Sequence, residues 1–166
     1  MPTPHADNPV PLSVQCAIVT VSDTRDETTD KSGQLMRSQL AKAGHIISHY
    51  QIVKDEPEQI ATLVIQLASQ RDVQAVLLNG GTGIATRDTT FDAIAPLLEK
   101  ELPGFGEIFR HLSYAEIGSR AIASRAIAGI LQQTLIFSLP GSTKAVKLAL
   151  EKLILPELQH LTSLLQ

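Results

Sequence analysis

The residues with the clearest capacity for chemistry form a glycine loop that follows a short apolar run. The run from Ala75 to Leu78 has the length of a buried strand, and Gly80, Gly81 and Gly83 come directly after it. Glycine permits positive φ and close approach of the backbone to a ligand, while the N–H groups at a helix start attract an anion. The segment therefore predicts a phosphate-binding loop.

This loop differs from two standard phosphate-binding motifs. The P-loop requires a lysine after its second glycine, but Ile84 and Ala85 follow Gly83. The dinucleotide fingerprint requires a third glycine where this chain has Thr86. The loop therefore indicates an anion without identifying it.

Two aspartates, Asp55 and Asp88, follow the second and third expected strands. Taken singly, each is expected to cap a helix, since aspartate is a preferred N-cap residue and Asp55 has Glu58 at a capping-box spacing. Taken together, they should meet at the carboxyl edge of a parallel sheet, beside the glycine loop. Two carboxylates beside phosphates can hold Mg²⁺, so we expect the pair to bind a metal ion.

Other polar residues lie near the same expected edge. The acidic loop from Ser22 to Asp30 follows the first strand, and the pattern leaves open whether Asp30 caps a helix or contacts a ligand. Five cations could neutralise a polyphosphate, and the family resemblance given below favours Arg125 among them. They are Arg87, Arg110, Arg120, Arg125 and Lys144. His45 and His49 are expected on a strand, too far apart to bind one metal ion.

Size and charge narrow the class of protein. The chain has 166 residues, 43% of them hydrophobic, which suits one domain. A net charge of −3 without a basic stripe argues against nucleic acid as the main partner. No apolar run has the roughly 20 residues that a membrane span needs. The single Cys16 and the absence of a signal sequence predict a cytoplasmic protein.

Strands and helices alternate along the chain, which predicts a three-layer α/β/α fold with a mostly parallel central sheet. Residues 1–13 contain four prolines and are expected to be a flexible tail, so residues 14–166 form the single domain. The predicted elements in this first half are strand Cys16–Val21, helix Ser32–Ala43, strand Ile46–Val53, helix Pro57–Ser69 and strand Ala75–Leu78.

The second half is expected to begin with a helix from Thr90 to Lys100 that Pro103 and its flanking glycines interrupt. The tandem pentapeptide of residues 119–128 predicts one copy in a helix and one in a strand. An apolar stripe on the last helix, formed by Leu158, Leu161 and Leu165, suits either the core or a subunit contact. The remaining predicted elements are a short helix Glu107–Leu112, strands Ala126–Leu131 and Leu135–Leu139, a helix that Ser142 or Thr143 caps and that ends at about Leu155, and a last helix with Leu158, Leu161 and Leu165 on one side.

The assembled motifs resemble the MoaB/MogA family of molybdenum cofactor biosynthesis proteins, and the MoaB branch in particular. The resemblance extends from Cys16 to the C-terminus, and one departure is Asn79, where threonine is commoner. The motifs are Val21-Ser22-Asp23, Asp30-Lys31-Ser32-Gly33, Asp55-Glu56, Gly80-Gly81-Thr82-Gly83 with Arg87-Asp88, Pro103-Gly104-Phe105-Gly106-Glu107, Ser124-Arg125 and Pro140-Gly141-Ser142.

The resemblance implies a molybdopterin-binding domain that forms a homotrimer or homohexamer. It also implies Mg²⁺-dependent transfer of AMP from ATP to molybdopterin with release of pyrophosphate, through the catalytic pair Asp55 and Asp88. The residues that it implies for substrate and nucleotide binding are Ser22, Asp23, Asp30, Ser32, Gly33, Gly80, Gly81, Thr82, Gly83, Arg87, Gly104, Phe105, Gly106, Glu107, Ser124, Arg125, Pro140, Gly141 and Ser142.

Two other functions stay open at this stage. One is a non-catalytic molybdopterin-binding or assembly protein that keeps the fold and the pocket. The other is a flavodoxin-like electron carrier, which a parallel sheet with a phosphate loop would also suit. The chain has no Trp and two Tyr, which leaves few rings to enclose a flavin. Sequence alone does not decide between a molybdenum and a tungsten pathway.

Overall fold

A computed structural model of the chain describes residues 13–166, so the predicted tail of residues 1–13 falls almost entirely outside the described residues. Its strands and α-helices alternate along the chain, as predicted. In chain order they are β1 Gln15–Val21, α1 Lys31–Lys42, β2 Ile46–Val53, α2 Pro57–Ala68, β3 Ala75–Asn79, α3 Thr90–Ile94, β4 Lys100–Glu101, α4 Pro103–Ile117, β5 Ile127–Leu131, β6 Thr134–Leu139, α5 Thr143–Ala149 and α6 Leu155–Ser163.

The strands form one sheet in the order β2-β1-β3-β6-β5-β4. The first four of these are parallel, while β5 is antiparallel to both β6 and β4. Strands β3 and β6 are buried along their whole length, because parallel strands carry helices on both faces. The four parallel strands all end at one edge, the carboxyl edge, where the loops after β1, β2, β3 and β6 come together.

Helices cover both faces of the sheet and produce two apolar cores. Met36 and Leu40 of α1 pack on one face with Phe109 of α4 and with the C-terminal helices. Ile60 and Val64 of α2 pack on the other face with α3. The three-layer α/β/α fold with a mostly parallel sheet is therefore confirmed.

The helix predicted from Thr90 to Lys100 begins at Thr90 as expected but is shorter than predicted. Helix α3 ends at Ile94, a 3-10 turn covers Ala95–Leu97, and β4 follows at the edge of the sheet. Pro96 explains the difference, because proline inside a helix removes a backbone hydrogen bond and its ring clashes with the preceding turn.

The prediction that Pro103, Gly104 and Gly106 interrupt helical structure is wrong, since α4 begins at Pro103. The predicted short helix Glu107–Leu112 is part of this longer helix. Proline suits the first turn of a helix, where its missing N–H is not needed. The ring of Phe105 contacts that of Phe137 on β6, with centroids 5.4 Å apart, so burial of this aromatic side chain stabilises the first turn.

The C-terminal helices form one continuous rod with a π-helical segment over Leu150–Ile154. Pro156 lies in the first turn of α6, where it has no N–H to donate to the preceding turn, and a π segment often accommodates such a loss. Leu158 is fully buried, while Leu161 and Leu165 pack against the same core. The C-terminal stripe therefore belongs to the core in this chain.

The second copy of the pentapeptide leads into β5, while the first lies in a 3-10 helix over Gly118–Ala123, as predicted. Within residues 13–166, no helix is both long and apolar enough to cross a membrane.

Candidate functional site

Two neighbouring cavities open at the carboxyl edge of the sheet. The α4 cavity, about 360 Å³, lies between the glycine loop and α4. The Asp55 cavity, about 450 Å³, lies between the glycine loop and the loops after β1 and β2. Gly81, Asp88 and Gly141 line both cavities, so the glycine loop forms the boundary between them.

The glycine loop has a backbone that side chains would not permit. The φ angles of Gly80 and Gly81 are +103° and +66°. A Cβ atom on Gly80 would collide with the carbonyl of Val21, and one on Gly81 with Thr90 Oγ1 and Asp55 Oδ2. These two glycines therefore allow the loop to turn tightly across the strand ends.

The same loop presents backbone donors to the cavities. The Gly80 N–H donates to the Leu139 carbonyl at 2.9 Å, which joins the ends of β3 and β6. In the described part of the chain, the N–H groups from Gly81 to Gly83 have no protein acceptor. Successive unpaired N–H groups of this kind suit an anion.

Asp55 is 6% exposed and does not cap α2, whose N-cap is Glu56 without a side-chain bond. Asp55 Oδ1 instead accepts the N–H and the hydroxyl of Thr89, at 3.0 and 2.6 Å. The capping-box prediction is therefore wrong. Asp55 connects the end of β2 to the entry of α3, and its Oδ2 lies beside Gly81.

Asp88 does not cap α3 either, because Thr89 occupies the N-cap position. Asp88 Oδ2 accepts the Ala85 N–H at 3.0 Å and lies close to Gly83. Asp88 lines both cavities, while Asp55 lines one of them. The structure thus brings the two predicted catalytic aspartates to the same cavity.

Ion pairs connect the loops around the Asp55 cavity. Arg87 Nη2 lies 2.7 Å from Asp23 Oδ2, and Arg87 Nη1 lies 3.1 Å from Glu56 Oε1. The hydrogen bonds from Arg87, with a further bond from the Asp55 N–H, lower the pKa of Asp23. The positive charge of Arg87 is therefore shared between two carboxylates.

Asp30 is both a helix cap and the centre of a buried network. It accepts the Gly33 N–H at 3.0 Å, and its Oδ2 accepts the hydroxyls of Thr20 and Tyr50, each at 2.6 Å. Asn79 donates in turn to Thr20 Oγ1 at 2.9 Å. The sequence left open whether Asp30 caps a helix or contacts a ligand, and the structure shows the cap. Thr20 and Tyr50 were not among the candidate residues.

Residues Pro140–Ser142 are fixed against α1. Ser32 Oγ donates to the Gly141 carbonyl at 2.7 Å, and Ser142 Oγ caps α5 by accepting the Ala145 N–H. Ser22 Oγ accepts the N–H of Arg25 at 3.0 Å and shapes the loop after β1. Ser22 lines the Asp55 cavity, whereas Ser32 acts on the site through Gly141.

Arg125, which we favoured as an anion ligand, has other partners. Its Nη2 lies 2.6 Å from Asp92 Oδ1, and its guanidinium lies 4.2 Å from the centre of the Phe91 ring. Its backbone N–H donates to the Thr82 carbonyl at 3.0 Å, which supports the glycine loop. Neighbouring Ser124 lines the α4 cavity, and its hydroxyl is buried without a partner.

The first turn of α4 lies away from both cavities. Phe105 is part of the core, and Gly106 is buried against Arg110 and the carbonyl of Ala126. Gly104 and Glu107 are exposed. The four predicted ligands Gly104 to Glu107 are thus not brought to the other site residues within one chain.

Comparison with known proteins then identifies the family. Residues 17–160 match the family model described as "Probable molybdopterin binding domain". The chain is 60% identical to molybdenum cofactor biosynthesis protein B of Bacillus subtilis over 151 residues, which cover 90% of this chain and 89% of that one. It belongs to the molybdenum cofactor biosynthesis protein B family.

Solved structures of the family have the same fold. A crystal structure of a molybdenum cofactor biosynthesis protein B superposes with a TM-score of 0.90 at 55% identity, over 92% of this chain and 96% of that one. A tungsten cofactor synthesizing protein MoaB from Pyrococcus furiosus gives 0.80 at 39% identity, over 90% and 95%. The family assignment made from the motifs is therefore confirmed.

The carboxylates of Asp55 and Asp88 line a cavity in which they could hold a metal ion that arrives with a substrate. Among the described residues, no group of three or more metal-binding side chains occurs. Asp55 Oδ2 and Asp88 Oδ1 accept no protein hydrogen bond within residues 13–166. Mg²⁺ commonly binds one or two carboxylates together with substrate phosphates. The donor set of Asp55 and Asp88 fits that chemistry.

Several residues of the cavities were missed by the sequence reading. Arg25 lines the Asp55 cavity, and Phe109, Ser113 and Ile117 of α4 line the other. The helical spacing of 109, 113 and 117 would have shown that these three share one face of a longer helix. No local signal distinguishes Arg25, since the contact that holds its guanidinium at the cavity is with the Gly141 carbonyl, 116 positions away.

Proposed function

We propose that this chain binds molybdopterin and transfers AMP to it from ATP, with release of pyrophosphate. The observation that carries the proposal is the glycine loop. It separates two cavities beside Asp55 and Asp88, and its N–H groups are unpaired. Two adjacent cavities suit two substrates that meet at their phosphates. Membership of a molybdopterin-binding family supplies the identity of one of them.

The transfer requires that two phosphates be held in line. An oxygen of the terminal phosphate of molybdopterin attacks the α-phosphorus of ATP, and the bond from that phosphorus to the bridging oxygen breaks. Pyrophosphate leaves with the electron pair of that bond. A phosphate monoester has a second pKa of about 6, so it is largely a dianion near pH 7 and needs no strong base. Positioning and charge stabilisation are therefore the main tasks of the protein.

The residues of the site have roles suited to those tasks. The N–H groups of Gly81 to Gly83 bind phosphate oxygens. Asp55 and Asp88 would hold Mg²⁺, which when bound neutralises charge on the ATP phosphates. Ser22, Pro140 and Ser142 form the cavity walls. Asp23 and Arg87 also line the Asp55 cavity, and Thr82 and Ser124 line the α4 cavity.

The decisive experiment measures pyrophosphate release from ATP and Mg²⁺ with and without molybdopterin. We expect release only when molybdopterin is present, and a loss on the order of 100-fold for Asp88→Asn. Asparagine keeps an oxygen that can accept the Ala85 N–H, so thermal unfolding should change little. Normal turnover by a folded Asp88→Asn protein would remove Asp88 from the mechanism.

A non-catalytic molybdopterin-binding protein is the second candidate. One observation favours it: Arg87 and Arg125 already pair with carboxylates, so fewer cations face a polyphosphate than the sequence indicated. Binding of molybdopterin by the wild-type protein without any pyrophosphate release would establish this function instead.

We further propose that the protein is a homo-oligomer in the cytoplasm. Ile84, Ile117 and Ile122 are exposed, at 76%, 52% and 90%. Ile117 lines the α4 cavity, and the other two are adjacent in sequence to the lining residues Gly83 and Ala123. Apolar side chains gathered on one surface commonly mark a protein interface. Sedimentation equilibrium should show a trimer or a hexamer, and a stable monomer at micromolar concentration would contradict this.

A further inference from the structure

We propose that Arg25 binds a phosphate group of a substrate in the Asp55 cavity. The inference rests on the proposed function, which supplies the phosphate-bearing substrates. Arg25 follows the end of β1 and lines this cavity together with Asp55 and Asp88. Its side chain is 34% exposed, so the guanidinium is accessible to a ligand.

The partners of Arg25 leave most of its donors available. Its Nη2 donates to the Gly141 carbonyl at 3.2 Å, and its ion pair with Asp30 is long, at 3.9 Å between Nη1 and Oδ1. Arg87 differs, because two carboxylates contact it at 2.7 and 3.1 Å. A guanidinium has five N–H donors, so Arg25 retains several for an anion.

The charge balance of the cavity also requires a cation. Asp23, Asp55 and Asp88 contribute three carboxylates to the lining, and without bound Mg²⁺ these would repel a phosphate. Arg87 lines the cavity but is already neutralised by Asp23 and Glu56. Arg25 is therefore the cation in the lining with the least neutralised charge, and its planar fork matches two phosphate oxygens.

A purely structural role would not explain why an arginine occupies position 25. If Arg25 served only to satisfy the Gly141 carbonyl, it would duplicate Ser32, whose hydroxyl donates to the same oxygen at 2.7 Å. Ser32 is buried and makes the shorter bond. The contact therefore does not require an arginine, and it instead holds the guanidinium at the cavity edge.

The test compares ligands with and without phosphate by calorimetry, for the wild-type protein and for Arg25→Gln. The ligands are ATP, adenosine, molybdopterin and dephosphorylated molybdopterin, with Mg²⁺ present. We expect Arg25→Gln to weaken binding of a phosphate-bearing ligand about 10- to 100-fold, because a charged hydrogen bond is lost. Binding of adenosine and of dephosphorylated molybdopterin should be unchanged.

Two further variants separate charge from structure. Arg25→Lys keeps the charge without the planar fork, so its weakening should be smaller than that of Arg25→Gln. Arg71→Gln makes the same change of net charge at the opposite edge of the sheet, where Arg71 lines a different cavity. It should bind all four ligands as the wild-type protein does.

Each outcome bears on the proposal. Loss restricted to ATP supports a nucleotide phosphate as the ligand, and loss restricted to molybdopterin supports the pterin phosphate. Equal weakening of ligands with and without phosphate, or no weakening, would overturn the role of Arg25 while leaving the proposed function intact. A wild-type protein that bound none of the ligands would overturn both proposals.

Discussion

The two edges of the sheet carry cavities of similar size but very different chemistry. At the carboxyl edge, the α4 cavity of about 360 Å³ is bounded by a glycine loop with unpaired N–H groups and by Asp88. At the amino edge, where the parallel strands begin, a cavity of about 340 Å³ is lined by glutamines, Arg71 and Thr134.

Two polar side chains that line the amino-edge cavity, Gln74 and Thr134, already have hydrogen-bond partners. Gln74 Oε1 accepts the Gln15 N–H at 2.9 Å, and the Gln74 carbonyl accepts the Leu135 N–H at 3.0 Å. Thr134 Oγ1 bonds to carbonyls that precede β3. None of the side chains described as lining this cavity is a carboxylate. Volume therefore does not identify the site, whereas unpaired donors and opposed charges do.

The largest expected effect comes from Gly81→Ala at the carboxyl edge. An alanine would have to adopt a φ of +66°, and its Cβ would collide with Thr90 Oγ1 and Asp55 Oδ2. The strained backbone and the collision would both displace the loop that we propose binds phosphate, and a displacement of about 1 Å can reduce a rate about 100-fold. We expect at least that loss in pyrophosphate release.

The matched control is Gly44→Ala at the amino edge. Gly44 has a φ of +88°, but no atom lies within 4 Å of the position of its Cβ. The change should lower stability by about 1 kcal/mol through backbone strain alone and leave turnover intact. Equal activity losses in the two variants would show that the edges do not differ in function.

The sequence predicts much of the difference between the two edges of the sheet. Apolar runs of strand length, with helices between them, predict parallel strands whose carboxyl ends meet. From the sequence, that rule predicts Asp55 and Asp88 at one edge of the sheet, and the structure places both in the lining of one cavity. The topology therefore predicted the location of both aspartates correctly, although the helix-capping roles predicted for them were wrong.

What could not be predicted depends on contacts between distant residues. Arg25 contacts Gly141, 116 positions along the chain, and nothing in its neighbourhood distinguishes it from other loop cations. For Arg125 the error was the opposite: it was predicted to bind an anion, but it pairs with Asp92 on another element. Sequence patterns indicate which loops converge, but the pairing of charges among those loops depends on side-chain geometry.

A smaller effect is expected from the β5–β6 turn at the amino edge. Gln132 and Gln133 have φ angles of +49° and +67°, which two-residue hairpin turns of this kind require but which suit Asn-Gly better. The double change Gln132→Asn and Gln133→Gly should stabilise the protein by about 1 kcal/mol in urea unfolding.

Turnover should not change with that substitution, because the turn lies at the edge opposite the glycine loop. Positive φ angles would then be replaceable at one edge and essential at the other. A gain in stability accompanied by a loss of pyrophosphate release would contradict this separation and would assign the amino-edge cavity a role in catalysis.

The smallest expected effect is a pH dependence of stability from His45, also at the amino edge. His45 Nδ1 accepts the Val14 N–H at 3.1 Å, and burial lowers the pKa of the imidazole below its ordinary value of 6.5. The unfolded chain therefore binds a proton at a higher pH than the folded chain does. Stability should be fully present above about pH 7 and should fall as pH drops through 6.5 towards the folded pKa.

The matched variant is His45→Gln, whose side-chain oxygen can accept the Val14 N–H at any pH. Urea unfolding between pH 7.5 and 5.5 should show a shallower dependence for this variant, while the other histidines contribute equally to both proteins. Identical slopes would show that His45 does not titrate across folding. Molybdopterin binding should follow neither slope, because the proton binds at the edge where β1 begins and the ligand is expected where β1 ends.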